Sequence, residues 1–152
     1  MNPQNGLRQV DLNRFLAAGL GAIAIVLAGC VGTFAYKTTT AQVSPTGSEQ
    51  VPPVTTRARG RGSFTVAEDG SVSGSVTVLG LAATAAHIHV APRGRNGPVA
   101  IGLTRSSDAL WVVPAGAKFS ADQYKAFIYG ETYVNFHTEA NRGGEIRAQL
   151  LP

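Results

Sequence analysis

Cysteine occurs once in this chain, at Cys30, so no disulfide can close within it and its core must hold without covalent staples. Acidic residues are also scarce. Nine Asp and Glu stand against thirteen Lys and Arg, giving a formal net charge of +4. No P-loop, nucleophile elbow, Cys-x-x-Cys pair or paired-carboxylate motif is present, nor any internal repeat or heptad pattern. These absences remove the common devices of phosphoryl transfer, acyl transfer and thiol redox chemistry. They point to a non-enzymatic binding or structural role. The 152 residues suffice for one ordinary domain plus accessory segments.

Charge is missing altogether from one stretch. Phe15 to Tyr36 runs for 22 residues without Asp, Glu, Lys, Arg or His, bounded by Arg14 and Lys37. As a helix this run would measure roughly 33 Å, enough to cross a bilayer core. Arg8 and Arg14 precede it, which keeps the N-terminus in the cytoplasm and places the remainder outside. Two fates compete for the run. Leu27-Ala28-Gly29-Cys30 fits a lipobox, which would make Cys30 a site of lipidation. The run nevertheless stays apolar through Val31 to Tyr36, which favours a retained transmembrane anchor. Its small residues, Gly19, Gly21, Gly29 and Gly32 among them, suit packing against another membrane helix.

Composition divides the chain into a cytoplasmic tail (1–14), the anchor (15–36), a Thr-, Ser- and Gly-rich linker (37–49) and a folded domain (50–152). The folded domain carries strand patterns. Gly62 to Ala67 and Val72 to Val78 alternate around Glu68-Asp69-Gly70-Ser71, the clearest hairpin of the chain. Short strands are also expected at 86–90, 99–103, 110–113, 132–138 and 145–151. Residues 91–98, with two prolines and two glycines, form an exposed loop. One helix is expected after Ser120, where Ser120 and Gln123 make a capping box and Gly130 supplies the stop. The fold class is therefore all-β, an antiparallel β-sandwich with one short helix.

All three histidines fall on two of these strands. Side chains alternate along a strand with period two, so His87 and His89 share a face opposite Ala86, Ile88 and Val90. Val134 and Phe136 take the inner face of the second strand, which turns Tyr133, Asn135 and His137 outward. If the strands are neighbours, three imidazoles converge. Such a set can hold copper or zinc, with Glu145 or water as fourth ligand. Otherwise it is a polar patch bonded to Asn135, Arg147 or loop carbonyls, and no cofactor is needed. Arg57, Arg59 and Arg61 line one edge of an extended segment, and Arg93 and Arg95 make the 91–98 loop basic. These arginines suit lipid headgroups or an acidic protein face. They equally suit a charged edge that discourages aggregation. The extracytoplasmic topology argues against nucleic acid.

Gln50-Val51-Pro52-Pro53-Val54, Gly62-Ser63-Phe64, Ala86-His87-Ile88-His89, Asn96-Gly97-Pro98-Val99, Tyr133-Val134-Asn135-Phe136-His137-Thr138 and Gly143-Gly144-Glu145-Ile146-Arg147 together resemble the CHRD domain, a module first named from chordin. The resemblance covers nearly all of 50–152. It implies an immunoglobulin-like sandwich or barrel and no settled activity. The chain departs from it at Glu49-Gln50, Arg142 and Ala148. A more distant similarity is to copper–zinc superoxide dismutase, which also has a His-x-His strand and a later histidine. This chain lacks a fourth histidine, a zinc loop and a disulfide. The reading that follows is an accessory or scaffold subunit of a bacterial inner-membrane complex, photosynthetic or respiratory, with its β domain in the periplasm. A dismutase-like metal module and a surface lipoprotein adhesion module are the alternatives.

Overall fold

The structure, a computed structural model, describes residues 36–152. The expected anchor, with Gly19, Gly21, Gly29, Gly32 and Cys30, lies outside the described residues apart from Tyr36. Among the described residues no helix is long and apolar enough to cross a membrane.

The described residues form nine strands and one α-helix, in order β1 (Thr38–Val43), β2 (Arg59–Ala67), β3 (Val72–Leu79), β4 (Ala85–Val90), β5 (Val99–Gly102), β6 (Thr104–Arg105), β7 (Leu110–Val112), α1 (Ala121–Ile128), β8 (Thr132–His137) and β9 (Ile146–Leu150). They form two antiparallel sheets, ordered β1-β2-β3-β7-β6 and β5-β4-β8-β9. The core lies between them. Phe64, Val66, Val76 and Trp111 from the first sheet meet Ile88, Val134, Phe136, Ile146 and Leu150 from the second. Trp111 meets Phe136 edge-on, ring centroids 6.3 Å apart. Gly74 sits opposite Phe64 with φ +139, and a side chain there would strike the Ser63 carbonyl and the Phe64 backbone.

The β2–β3 hairpin forms as the Asp-Gly pair requires. Gly70 takes φ +83, and the Asp69 carboxylate accepts from the Ser71 amide and hydroxyl, each at 2.9 Å. Lys118 and those Ser71 bonds hold the Asp69 carboxyl down at about 2. The capping box of α1 is present in both directions, Gln123 N–H to Ser120 Oγ and Ser120 N–H to Gln123 Oε1.

Two expectations need correction. The segment 37–49 is not a linker. It carries β1, which pairs with β2 from Thr38↔Ala67 to Val43↔Gly62, and then a 3-10 turn at Gly47–Glu49. Thr46 exchanges backbone hydrogen bonds with Arg147 of the other sheet, 3.0 Å each way. Threonine is a good strand residue, and the buried alternation rests on Ala41 and Val43, which composition alone does not reveal. The outward row of β8 and β9 is not solvated either. Arg147 is 1% exposed, Tyr133 2% and Asn135 3%. The 91–98 loop folds back over this face because Arg147 Nη1 donates to the Arg95 carbonyl at 2.9 Å and Gln149 Nε2 donates to the Ala91 carbonyl at 2.9 Å.

Candidate metal centre

Register brings the histidines together. Across the β4–β8 pair, His87 faces Asn135, His89 faces Tyr133 and Ala85 faces His137. His137 is thus the diagonal neighbour of His87, within reach of a long side chain. Ring centroids are 4.9 Å apart for His87–His137, 5.6 Å for His87–His89 and 6.3 Å for His89–His137. One nitrogen from each ring can be chosen so that all three lie within 4.8 Å of one another. His87 Nδ1 stands 3.0 Å from His137 Nε2.

The backbone sets which nitrogens carry the lone pairs, and the His137 Nε2 lone pair accepts from His87 Nδ1. His89 Nδ1 lies 2.9 Å from the Gly97 carbonyl, and His137 Nδ1 lies 2.8 Å from the Arg142 carbonyl. A carbonyl only accepts, so each Nδ1 carries the proton and donates it. In the neutral ring the lone pair then sits on Nε2. Metal-bound histidines are held in this way by a backbone or carboxylate partner on the far nitrogen. His89 Nε2 is buried and has no hydrogen-bond partner among the described residues. Gly97 has to be glycine for this contact, since a side chain would run into the Val90 carbonyl. Gly102, opposite His87 on β5, adds no side chain to that flank.

Burial pushes His87 below the ordinary histidine range, helped by His137 and His89. Burial likewise lowers His89, with His137 and Arg147 acting in the same sense against the Gly97 carbonyl and the Asn135 side chain. Both rings are therefore neutral at pH 7, the form that ligates metal.

Glu145, expected as a fourth ligand, is placed elsewhere. Its carboxylate accepts from Thr56 Oγ1 at 2.8 Å, Thr138 Oγ1 at 2.7 Å and Asn141 Nδ2 at 3.0 Å. Burial alone would raise it, but these three bonds together hold it below the usual carboxylate range. It pins the β8–β9 loop to the segment before β2. Two buried residues that the sequence does not single out as site residues carry unpaired polar atoms. Asn135 lies directly opposite His87, and its Oδ1 has no partner among the described residues; nor has Nε2 of the buried Gln50. The outward position of Asn135 is legible from strand alternation, whereas nothing in the sequence brings Gln50 to this sheet.

The arginines do not join the histidines. Arg59 and Arg61 stand on the outer face of β2, which is flanked by β1 and β3 and so is not an edge strand. With Thr46, Thr77 and Leu79 they line a shallow cavity of about 410 Å³. Arg57 precedes them and is also exposed. Arg93 pairs with Glu49 through bonds of 2.8 and 2.9 Å, while Arg95 is exposed and lends its carbonyl to Arg147.

The CHRD domain family matches residues 41–150, and the chain belongs to that family. The matched region begins inside β1, in keeping with a domain that starts ahead of Gln50. No curated protein and no solved structure matches the chain significantly.

Proposed function

We propose that this CHRD-domain chain is an extracytoplasmic module that binds one copper or zinc ion on His87, His89 and His137. One observation carries the reading. Three imidazole nitrogens gather within 4.8 Å while backbone carbonyls hold two of the rings in the tautomer that presents Nε2. A merely structural patch would use its buried nitrogens internally, and His89 Nε2 has no such use among the described residues. Three neutral nitrogens suit copper or zinc better than calcium or magnesium. Metal–nitrogen bonds of about 2.0–2.1 Å place tetrahedral donors about 3.4 Å apart. The widest pair therefore closes by roughly 1.4 Å on binding, within reach of ring rotation. We read the role as binding rather than catalysis, on a sandwich of immunoglobulin-like type.

Titration of purified protein with copper(II) and with zinc(II) tests this. One equivalent should bind, and His87→Ala, His89→Ala and His137→Ala should each abolish uptake with the far-UV circular dichroism unchanged. Absence of uptake of either metal ends the proposal.

A second reading concerns how the module is held. Only Lys37 separates the apolar run 15–36 from the first residue of β1. A run retained in the bacterial inner membrane would leave the sandwich no flexible spacer, which suits an accessory subunit packed on a larger periplasmic assembly. Lipidation at Cys30 is the other means of attachment. Arg57, Arg59 and Arg61 are exposed and suit an acidic protein surface. Native mass spectrometry of the protein taken from its own membrane discriminates: a multi-subunit assembly containing the unmodified chain supports the reading, and a lone or lipidated chain removes it.

A further inference from the structure

We infer that the fourth coordination position of the metal belongs to an exchangeable solvent-derived ligand, water or a small monoanion, seated by the side-chain amides of Asn135 and Gln50. The inference rests on the three-histidine reading above and adds to it what the metal presents outward.

Five buried side-chain polar atoms lack a hydrogen-bond partner among the described residues, and three of them belong to His89, Asn135 and Gln50. Buried polar atoms left unmade are expensive, so a coincidence of three in one neighbourhood calls for a ligand. Asn135 is the centre of this neighbourhood. It stands across from His87, diagonal to His89 and two residues before His137, all on one face. Gln50 joins it at Gly144. A side chain built on Gly144 would meet Gln50 Nε2, with Asn135 Nδ2 at 2.8 Å, so the two amides crowd one point. Gly144 holds φ +121, a conformation that only glycine adopts readily, and so leaves the space to the amides. Gln50 and Asn135 are each 3% exposed, which screens them from bulk water.

The chemistry of this pair differs from that of a carboxylate. Asn135 Oδ1 accepts a hydrogen bond from a bound water, and Gln50 Nε2–H donates to it. Together they offer one acceptor and one donor to a ligand already held by the metal. Both are neutral, so they orient without cancelling charge. With three neutral imidazoles the divalent ion keeps its full charge, and no carboxylate among the described residues completes its coordination. Arg147 adds a positive field close to His89. A site of net positive charge with one open position takes small monoanions in exchange for water.

The full-length protein in mild detergent, loaded with cobalt(II), provides the test. Uptake of one equivalent is measured first; its failure overturns the three-histidine reading itself. Sodium azide is then titrated while the visible bands of cobalt are followed. A saturable spectral change is expected in the wild type. Gln50→Leu and Asn135→Leu should load cobalt with the same stoichiometry yet bind azide about tenfold more weakly, the effect of one lost hydrogen bond. Copper(II)-loaded wild type in oxygen-17 water should show an exchangeable bound oxygen by electron–nuclear double resonance, a measurement that needs no variant. A cobalt spectrum indifferent to azide, amide variants with unchanged azide affinity, or absence of the oxygen-17 coupling overturns the inference while leaving the metal site standing.

Discussion

His89 and Tyr133 lie face to face, ring centroids 4.8 Å apart and planes 7° from parallel, and the Arg147 guanidinium covers the other face of Tyr133 at 3.4 Å. This three-layer stack crosses β4, β8 and β9. It also controls the loop above, because the Tyr133 hydroxyl accepts from the Gly97 amide at 3.2 Å while the Gly97 carbonyl holds His89 Nδ1. One phenol therefore supports a candidate ligand from the side and from above.

Tyr133→Phe keeps the stack and deletes one hydrogen bond. It should lower unfolding free energy by about 1 kcal/mol in urea titrations and speed hydrogen exchange at Gly97. Tyr133→Ala removes the ring itself and should cost about 3–5 kcal/mol. If Tyr133→Phe leaves Gly97 exchange unchanged, the phenol does not hold the loop.

Glu145→Gln separates a structural from a ligating role. The amide retains one acceptor but turns a donor toward groups that donate already, Thr56 or Thr138 and Asn141. Stability should fall by about 1–3 kcal/mol. Stoichiometric zinc uptake should be unchanged. A variant that folds normally but loses zinc would restore Glu145 as a ligand and refute its purely structural role.

Strand alternation, a short-range pattern, makes the outward faces of His87, His89 and His137 legible, whereas their convergence rests on β4 pairing with β8, which joins residues 50 apart in sequence and is stated by no local pattern. The helix is legible from a short-range pattern too, through Ser120 and Gln123. Period two says which way Arg147 and Gln149 point but not whether anything covers them. The cover depends on donors reaching the Arg95 and Ala91 carbonyls, more than fifty residues away in sequence. Glu145 misleads on similar grounds. Its outward position beside β9 says nothing of Thr56, which arrives from a distant segment. β1 escapes a reading of composition because its inner face is carried by Ala41 and Val43, a signal too small to stand out in a threonine-rich stretch.

Acid should weaken the metal-free fold before any carboxylate protonates. Burial holds both His87 and His89 below the ordinary value of 6.5. In the unfolded chain both take up protons near 6.5 while the folded protein resists until lower pH. The unfolded state thus binds more protons in that window, and stability falls as pH drops below about 6.5 toward the folded values. Thermal melts from pH 8 to pH 5 should be flat above about 7 and decline below about 6.5. His87→Asn should flatten part of that decline. A melting temperature that rises on acidification over this range would contradict the buried, neutral state of these rings.

Arg147 offers the sharpest test of how the covered face is held. Its guanidinium is almost wholly buried, and burial lowers its pKa against the favourable influence of Tyr133 and Glu49. Among the described residues no carboxylate bonds to it; it donates instead to the Arg95 carbonyl, Asn96 Oδ1 and Gln149 Oε1. Removing a buried arginine from an ion pair leaves a stranded counter-charge and costs about 3–5 kcal/mol. With no bonded counter-charge left behind, Arg147→Met, of similar reach, should cost only about 1–3 kcal/mol. Arg147→Lys should be worse, because it keeps the buried charge but loses the planar fork that spans two acceptors and lies flat on Tyr133. The order of stability is therefore wild type, methionine, lysine. Both variants should also hasten tryptic cleavage after Arg93 and Arg95, since the loop carrying them loses its clamp. A lysine variant more stable than the methionine variant would mean that charge, rather than the shape of the guanidinium, holds the loop over the histidines.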